Sequence, residues 1–195
     1  MSAASVNSSL TPMAAGPDLA PQRLAVAADV EAISAVMKAS VRELFPRFYD
    51  DRQTATAVIY IAQLDTVLIE DGTYYVHEAG GEIVACGGWS RRNRLHAGAG
   101  EAQDDDCLLD PRTEPARVRA MFVRSDWTRR GLGRAILESC ERAARAEGFT
   151  TLALMATLPG VPLYRAFGFA ETGREMVRAP DGVELAGVTM QRPIA

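Results

Sequence analysis

Apolar residues recur at helical spacing in three parts of the chain. The first helix is predicted to begin after Asp29, a favourable N-cap residue, and to end before Pro46. The second begins near Asp50 or Asp51, although its segment AVIYIA is rich enough in β-branched residues to be compatible with a strand. The third ends at Gly148. The apolar faces consist of Val30, Ile33, Met37, Val41 and Leu44 in the first helix, Ala57, Val58, Ile61 and Leu64 in the second, and Leu132, Ile136, Leu137, Cys140, Ala143 and Ala144 in the third.

Short runs rich in β-branched and alternating apolar residues predict the strands. The clearest are RLAVAA (residues 23–28), the regularly alternating ARVRAMFV (116–123) and TLALMAT (151–157). Gly80-Gly81 and Asp181-Gly182 each join two such runs into a hairpin, and a short helix is predicted over 159–167. The predicted order is β-α-α-β-β-β-α-β-α-β-β, which indicates a mixed α/β domain.

The remaining segments set the domain organisation. Residues 1–22 are rich in Ser, Ala, Pro and Gly and predict a flexible N-terminal tail, which leaves 23–195 as a single domain. Within it, 91–115 is polar and irregular and is interpreted as a loop insertion. No apolar run approaches the roughly 20 residues that a membrane-spanning helix needs, and the N terminus lacks the features of a signal peptide.

Composition narrows the function classes. A 195-residue chain with 48% hydrophobic and 24% charged residues is typical of a globular protein. Its net charge of -4 argues against a general nucleic-acid binder. Three cysteines without CxxC spacing favour a reduced, cytoplasmic setting over a disulfide framework. No cluster of His, Cys or Asp has metal-ligand spacing, so no metal is expected.

The densest positive charge lies where the strand ARVRAMFV leads into the third helix, in the segment TRRGLGR. The first N–H groups of a helix have no intrahelical partners, and the helix dipole is positive there. Arg129, Arg130 and Arg134 add charge, while Gly131 and Gly133 let a ligand approach the backbone. The corner therefore predicts a phosphate site, particularly for a pyrophosphate. Neither GxxxxGK[ST] nor GxGxx[GA] fits the residues that follow.

This segment resembles the acetyl-CoA loop of the GNAT acyltransferase superfamily, whose pattern is Gln/Arg-x-x-Gly-x-Gly/Ala between a strand and a long helix. Gly131 and Gly133 match, and Thr128 stands at the Gln/Arg position. A second match, LYRAFGF (163–169), lies one strand and one helix later, where the family places it. The resemblance implies the GNAT fold, a mixed, mostly antiparallel central sheet flanked by helices with splayed central strands.

The resemblance also implies roles for individual residues. Tyr164 would be the general acid that protonates the departing thiolate of coenzyme A, and the amide of Met121 would polarise the thioester carbonyl. Thr157 stands where many relatives carry Asn. The implied cofactor-binding residues are Met121, Phe122 and Val123, whose backbone would pair with the pantetheine arm, together with Thr128, Arg129, Arg130, Gly131, Leu132, Gly133, Arg134 and Thr157.

The sequence evidence is weaker for residues that would bind or deprotonate the acceptor, and a structural role alone would also explain each of them. Glu78 or its neighbour His77 could serve as general base, but strand alternation puts them on opposite faces. Phe45, Phe48 and Tyr49 lie between the first two helices, which often shape the acceptor pocket in this superfamily; core packing explains the two phenylalanines equally well.

The resulting hypothesis is an N-acetyltransferase that moves the acetyl group of acetyl-CoA to a primary amine by direct attack, the amine belonging to a small molecule or a protein. The alternative is a non-catalytic CoA-binding sensor or regulatory module. An RNA contact at the arginine corner is a third interpretation, disfavoured by the acidic net charge and the lack of interleaved aromatic residues. Relatives commonly form homodimers and the final strands would supply the contact, but no residue pattern demands one.

Overall fold

The computed structural model describes residues 19–93 and 107–194. Most of the predicted tail and residues 94–106 of the predicted loop insertion lie outside these ranges. The strands are β1 (Gln22–Leu24), β2 (Tyr74–Ala79), β3 (Glu82–Ser90), β4 (Ala116–Val123), β5 (Thr151–Thr157), β6 (Ala170–Arg178) and β7 (Glu184–Pro193). The helices are α1 (Val30–Leu44), α2 (Asp51–Tyr60), the single turn α3 (Val67–Glu70), α4 (Leu132–Ala146) and α5 (Val161–Phe167).

The strands form one seven-stranded sheet in the order β1-β2-β3-β4-β5-β7-β6. Every neighbouring pair is antiparallel except β4 and β5, which run parallel. These two central strands pair only where Ala116 meets Leu152 and Arg117 meets Ala153. Within the described chain no further β4–β5 pairing is recorded, so the two strands diverge towards their carboxyl ends, as the resemblance implied.

Each face of the sheet carries its own helices and core. The hydrophobic residues of α1 and α2 pack on one face, and those of α4 and α5 on the other. The residues that cover the first face include Ile33, Met37, Val41 and Ala57 around Tyr74, Val76 and Cys86; those that cover the second include Leu132, Ile136, Leu137 and Cys140 around Val84, Trp89, Leu152 and Leu154.

Strand β4 contains a bulge that its sequence pattern does not show. Between the pairs Cys86–Phe122 and Gly88–Arg119 the register shifts, so that β4 has one residue more than β3. Ala120 adopts a left-handed backbone with a φ of 52°. Val118 faces the α4 side before the bulge and Met121 faces it after, so the regular alternation predicted for this strand is wrong.

Most elements agree with their predicted positions, and the differences are local. AVIYIA belongs mainly to helix α2, which Asp50 caps together with Gln53, and not to a strand. The first strand ends at Leu24. Asp29 precedes α1, but its carboxylate accepts hydrogen bonds from Arg23 and from the Val26 amide and makes no side-chain cap.

The fold begins earlier than the predicted boundary at residue 23. Ala20 is buried, and its carbonyl oxygen lies 2.6 Å from Nδ1 of the buried His77. The amide of Glu78 donates to the carbonyl of Pro21. Residues 20–22 are therefore part of the packed sheet edge.

The close approach of β2 and β3 beside the bulge predicts a stability effect. A Cβ at Gly88 would lie 2.4 Å from the carbonyl oxygen of Thr73. Gly88→Ala is expected to lower the free energy of unfolding by about 2–3 kcal/mol, because packed backbone cannot move aside at low cost. Urea denaturation measures the effect, with Gly81→Asn as control. Gly81 has a φ of 82° and open space around it, which asparagine tolerates; a Gly88→Ala variant as stable as this control would contradict the packing argument.

Candidate active site

A cavity of about 510 Å³ lies where β4 and β5 diverge. Its wall contains Met121 and Val123 on β4, Thr157 at the end of β5, and Tyr164 on α5. All the cofactor-binding residues predicted from the sequence line it, except Arg130. A strand edge left open in the middle of a sheet presents unpaired backbone donors and acceptors, so the cavity suits an extended ligand that contains amide groups.

The first turn of α4 forms one end of this cavity. Gly131 occupies the N-cap position with a φ of 87°, and the preceding Arg129 is also left-handed with a φ of 63°. The chain thereby turns sharply, and the N–H groups of Leu132, Gly133 and Arg134 begin the helix without intrahelical acceptors. Together with the dipole of a 15-residue helix, they make this end suited to an anion.

The other predicted residues of this corner have distinct structural roles. The hydroxyl of Thr128 donates to the carbonyl of Ser125 and stabilises the turn before α4. Arg130 stacks on Trp127, with its guanidinium carbon 4.3 Å from the ring centroid, and does not itself line the cavity. A Cβ at Gly133 would lie 2.9 Å from the side chain of Leu163, so this glycine lets α4 and α5 pack closely.

Tyr164 lies in the cavity wall and is otherwise enclosed. Its ring packs against Gly160 and meets Phe169 edge-on at 5.8 Å between centroids. Burial raises the pKa of the Tyr164 hydroxyl above its ordinary value, so the group stays protonated at neutral pH. Among the described residues no hydrogen-bond partner of this hydroxyl is recorded, and the phenol can donate to a ligand in the cavity.

Asp65 and Arg119 form a buried ion pair in the cavity wall, which no pattern in the sequence predicted. Arg119 donates to the Asp65 carboxylate at 3.0 Å, and the two side chains are 3% and 9% exposed. The other oxygen of Asp65 accepts from the amide of Val67 at 3.2 Å. Asp65 is the one carboxylate among the described residues that line the cavity, and Ile61, Leu44 and Phe45 supply apolar wall beside it.

The residues predicted as general base do not reach the cavity. Glu78 lies on β2, and its carboxylate pairs with Arg23 of the edge strand β1 at 2.9 Å. His77 is buried against Ala20, and desolvation lowers the pKa of its imidazole. Neither residue lines the cavity, because β2 is separated from the β4–β5 opening by β3.

Of the residues predicted to shape the acceptor pocket, only some line the cavity. Phe45 lines the cavity, whereas Phe48 is 46% exposed and does not. The hydroxyl of Tyr49 donates to the carbonyl of Ala186 at 2.7 Å and accepts from the amide of Leu158 at 2.9 Å. Tyr49 therefore joins the segment after α1 to β7 and to the end of β5, and it supports the cavity wall from behind.

Within residues 19–93 and 107–194, no group of three or more His, Cys, Asp or Glu side chains is arranged to hold a metal ion. In the same ranges no helix has the length and apolar character needed to cross a membrane.

Comparison with known proteins was made at the level of sequence and of structure. Residues 38–169 match the model of the acetyltransferase (GNAT) family. This match includes α4, α5 and the whole of the β4–β5 opening. A search of the curated proteins finds no match to this sequence.

Solved structures share the fold at low sequence identity. A GCN5-related N-acetyltransferase from Rhodopseudomonas palustris is 18% identical, with 90% of this chain and 96% of that chain covered and a TM-score of 0.69. A phosphinothricin acetyltransferase from Sinorhizobium meliloti, in complex with acetyl-CoA, is 21% identical over 91% and 90%, with a TM-score of 0.59. The PaiA N-acetyltransferase from Thermoplasma acidophilum, in complex with coenzyme A, is 10% identical over 89% and 98%, also at 0.59.

Proposed function

The chain belongs to the acetyltransferase (GNAT) family, and from this premise we propose that it transfers the acetyl group of acetyl-CoA to a primary amine by direct attack. The observation that carries the proposal is the composition of the single cavity wall, where an anion-binding helix terminus, an open strand edge, a phenol and a carboxylate meet. Each of these groups has a step in such a reaction.

Acetyl-CoA supplies the activated acetyl group, and the residues of the α4 end would hold its pyrophosphate. The N–H groups of Leu132 and Gly133 and the side chain of Arg129 are the donors there. The backbone of Met121, Phe122 and Val123 would pair with the pantetheine arm, since β5 has left this part of β4 unpaired. These contacts leave the reacting end of the cofactor deeper in the cavity.

At the reacting end of the cofactor, neutral hydrogen-bond donors would stabilise the negative charge that develops during the reaction. The Met121 amide would donate to the thioester oxygen, which gains negative charge as the amine attacks. As the carbon–sulfur bond breaks, Tyr164 would donate its proton to the sulfur. The three cysteines of the chain suggest no covalent route. Cys86 and Cys140 are buried, and burial raises the pKa of Cys86 to about 12, while the exposed Cys107 does not line the cavity.

Asp65 replaces Glu78 as the proposed group for the acceptor amine. A primary amine arrives as an ammonium ion, which a buried carboxylate attracts and whose proton it can accept directly or through water. Arg119 pairs with the Asp65 carboxylate and holds it in place, and the apolar wall of Ile61, Leu44 and Phe45 suits a hydrophobic body on the acceptor. We therefore propose an acceptor with a primary ammonium group attached to an apolar portion.

The cofactor site is tested by calorimetry with acetyl-CoA and free CoA. The wild type is expected to bind both with micromolar affinity, and Gly131→Glu to abolish binding, because a carboxylate at this turn would repel and obstruct the pyrophosphate. Gly81→Glu is the matched control: Gly81 has a similar φ of 82° but lies in the β2–β3 turn. Failure of the wild type to bind either compound would refute the proposed function.

The acid is tested with Tyr164→Phe, which keeps the ring and removes the proton donor. With an acceptor found from a panel of primary amines, kcat is expected to fall by about 10²- to 10⁴-fold, which is the usual contribution of a general acid. The dissociation constant of acetyl-CoA should stay within a factor of three. Release of free thiol measures turnover, with Tyr60→Phe on α2 as control. Binding of acetyl-CoA without turnover of any amine would favour the alternative, a CoA-binding sensor.

The acceptor group is tested with Asp65→Asn, which removes the charge at nearly constant shape. The KM for the amine is expected to rise about 10- to 100-fold, because a hydrogen bond to a charged group is lost. Asp65→Asn leaves the buried Arg119 without the Asp65 carboxylate, which destabilises the fold. Asp65→Glu keeps the charge and is therefore measured beside it. Asp51→Asn, at the exposed start of α2, is the control. An unchanged kcat/KM in a folded Asp65→Asn variant would rule out this assignment.

A further inference from the structure

The hydroxyl of Tyr74, which also interacts with the thiol of Cys86 on β3, makes a hydrogen bond that reaches from β2 across β3 to the bulge of β4. Tyr74 is fully buried in the core on the α1 side of the sheet. Its hydroxyl donates to the carbonyl oxygen of Ala120 at 2.7 Å. Burial raises the pKa of Tyr74 well above its ordinary value, so the phenol remains a donor throughout the working pH range.

The residue that receives this hydrogen bond has a strained backbone. Ala120 is one of two non-glycine residues with positive φ in the described chain. Alanine enters the left-handed region only at a cost in energy, and such a conformation persists where its surroundings hold it. The tyrosine hydroxyl is a contact that can hold it, because it fixes the direction of the Ala120 carbonyl.

The neighbouring strand leaves room for this arrangement. A Cβ at Gly88 would lie 2.8 Å from the Tyr74 ring, and a Cβ at Gly87 would lie 2.3 Å from the sulfur of Met121. Two glycines on β3 therefore admit the tyrosine ring on one side of the sheet and the Met121 side chain on the other. The bulge is packed tightly between them.

Peptide geometry connects the Ala120 carbonyl to the next amide. No peptide bond in the described chain is cis, so the carbonyl of Ala120 and the N–H of Met121 point in opposite directions across one rigid plane. Since Tyr74 holds the carbonyl towards the α1 side, the Met121 N–H is turned the other way. Met121 itself packs on the α4 side and lines the cavity.

We infer that Tyr74 is a positioning residue, which aims the Met121 N–H into the cavity by holding the Ala120 carbonyl. The inference rests on the proposed function, in which this N–H donates to the thioester oxygen. Tyr74 acts through a hydrogen bond on the far side of the sheet and touches neither substrate. A merely structural tyrosine would affect stability but not the direction of one amide.

The test follows the Met121 amide directly by NMR and needs no knowledge of the acceptor. In the wild type, its proton resonance is expected to shift downfield between the CoA and acetyl-CoA complexes, because only the latter carries the acetyl oxygen. Tyr74→Phe should reduce this difference by more than half, while the dissociation constant of acetyl-CoA stays within a factor of three. Tyr75→Phe, whose side chain lies on the opposite face of β2, should leave the difference unchanged.

A turnover measurement gives the second readout. Tyr74→Phe should lower kcat about 10-fold or more with little change in the KM for acetyl-CoA, since only charge stabilisation at the thioester oxygen is weakened. A folded Tyr74→Phe variant with an unchanged Met121 shift difference would overturn the inference. Absence of acetyl-CoA binding in the wild type would refute the proposed function and this inference with it.

A double variant covers the case in which Tyr74→Phe alone does not fold. Ala120→Gly removes the penalty of the left-handed backbone, so Tyr74→Phe/Ala120→Gly is expected to recover stability. The hydroxyl that directs the peptide is still absent, and the reduced shift difference should persist. Recovery of both stability and shift difference in the double variant would show that Tyr74 only supports folding and would overturn its positioning role.

Discussion

The structure depends on one incomplete strand pair in the middle of its sheet. A parallel pair normally continues for as long as both strands last, but β4 and β5 pair through Arg117 and Ala153 and then separate. Unpaired backbone groups at the centre of a domain are costly unless water or a ligand satisfies them. The separation therefore creates the cavity and makes it suited to an extended molecule with amide groups, which can pair with the open edge of β4.

The bulge in β4 determines which of its residues face this opening. An undistorted strand would continue to turn alternate residues to each face and would keep its donors in the ladder with β3. The extra residue reverses the alternation, so that Met121 joins the α4 side, and it changes the direction of one peptide plane. Gly87 and Gly88 permit the distortion, and Tyr74 bonds to it from the opposite side. The local geometry at the proposed reaction centre thus depends on residues from three neighbouring strands.

The sequence predicted those features of the structure that depend on residues close together in the chain. The apolar face of α4 and both glycine-containing hairpin turns follow from spacing within a few residues, and they agree with the structure. The strand–glycine–helix corner and LYRAFGF were recognisable because each of them is a short contiguous segment of the chain. The bulge could not be read from ARVRAMFV, since the glycines that leave room for it lie on β3, outside that segment. Asp65 was missed for the same kind of reason, because it meets Arg119 across 54 residues of sequence.

The arrangement of charge around the cavity explains how two oppositely charged substrates could share it in the proposed reaction. Arg129 and the start of α4 are positive, so they attract the phosphates of the cofactor and repel an ammonium ion. Asp65, which pairs with Arg119, is the one carboxylate among the described residues of the wall and would bind the ammonium group in the proposed reaction. Between them the groups assigned to chemistry, the Met121 amide and the Tyr164 phenol, are neutral. Neutral donors can stabilise a charge that exists only briefly in the transition state. A permanent ion at the same point would have to be desolvated in every resting molecule, at a cost in free energy.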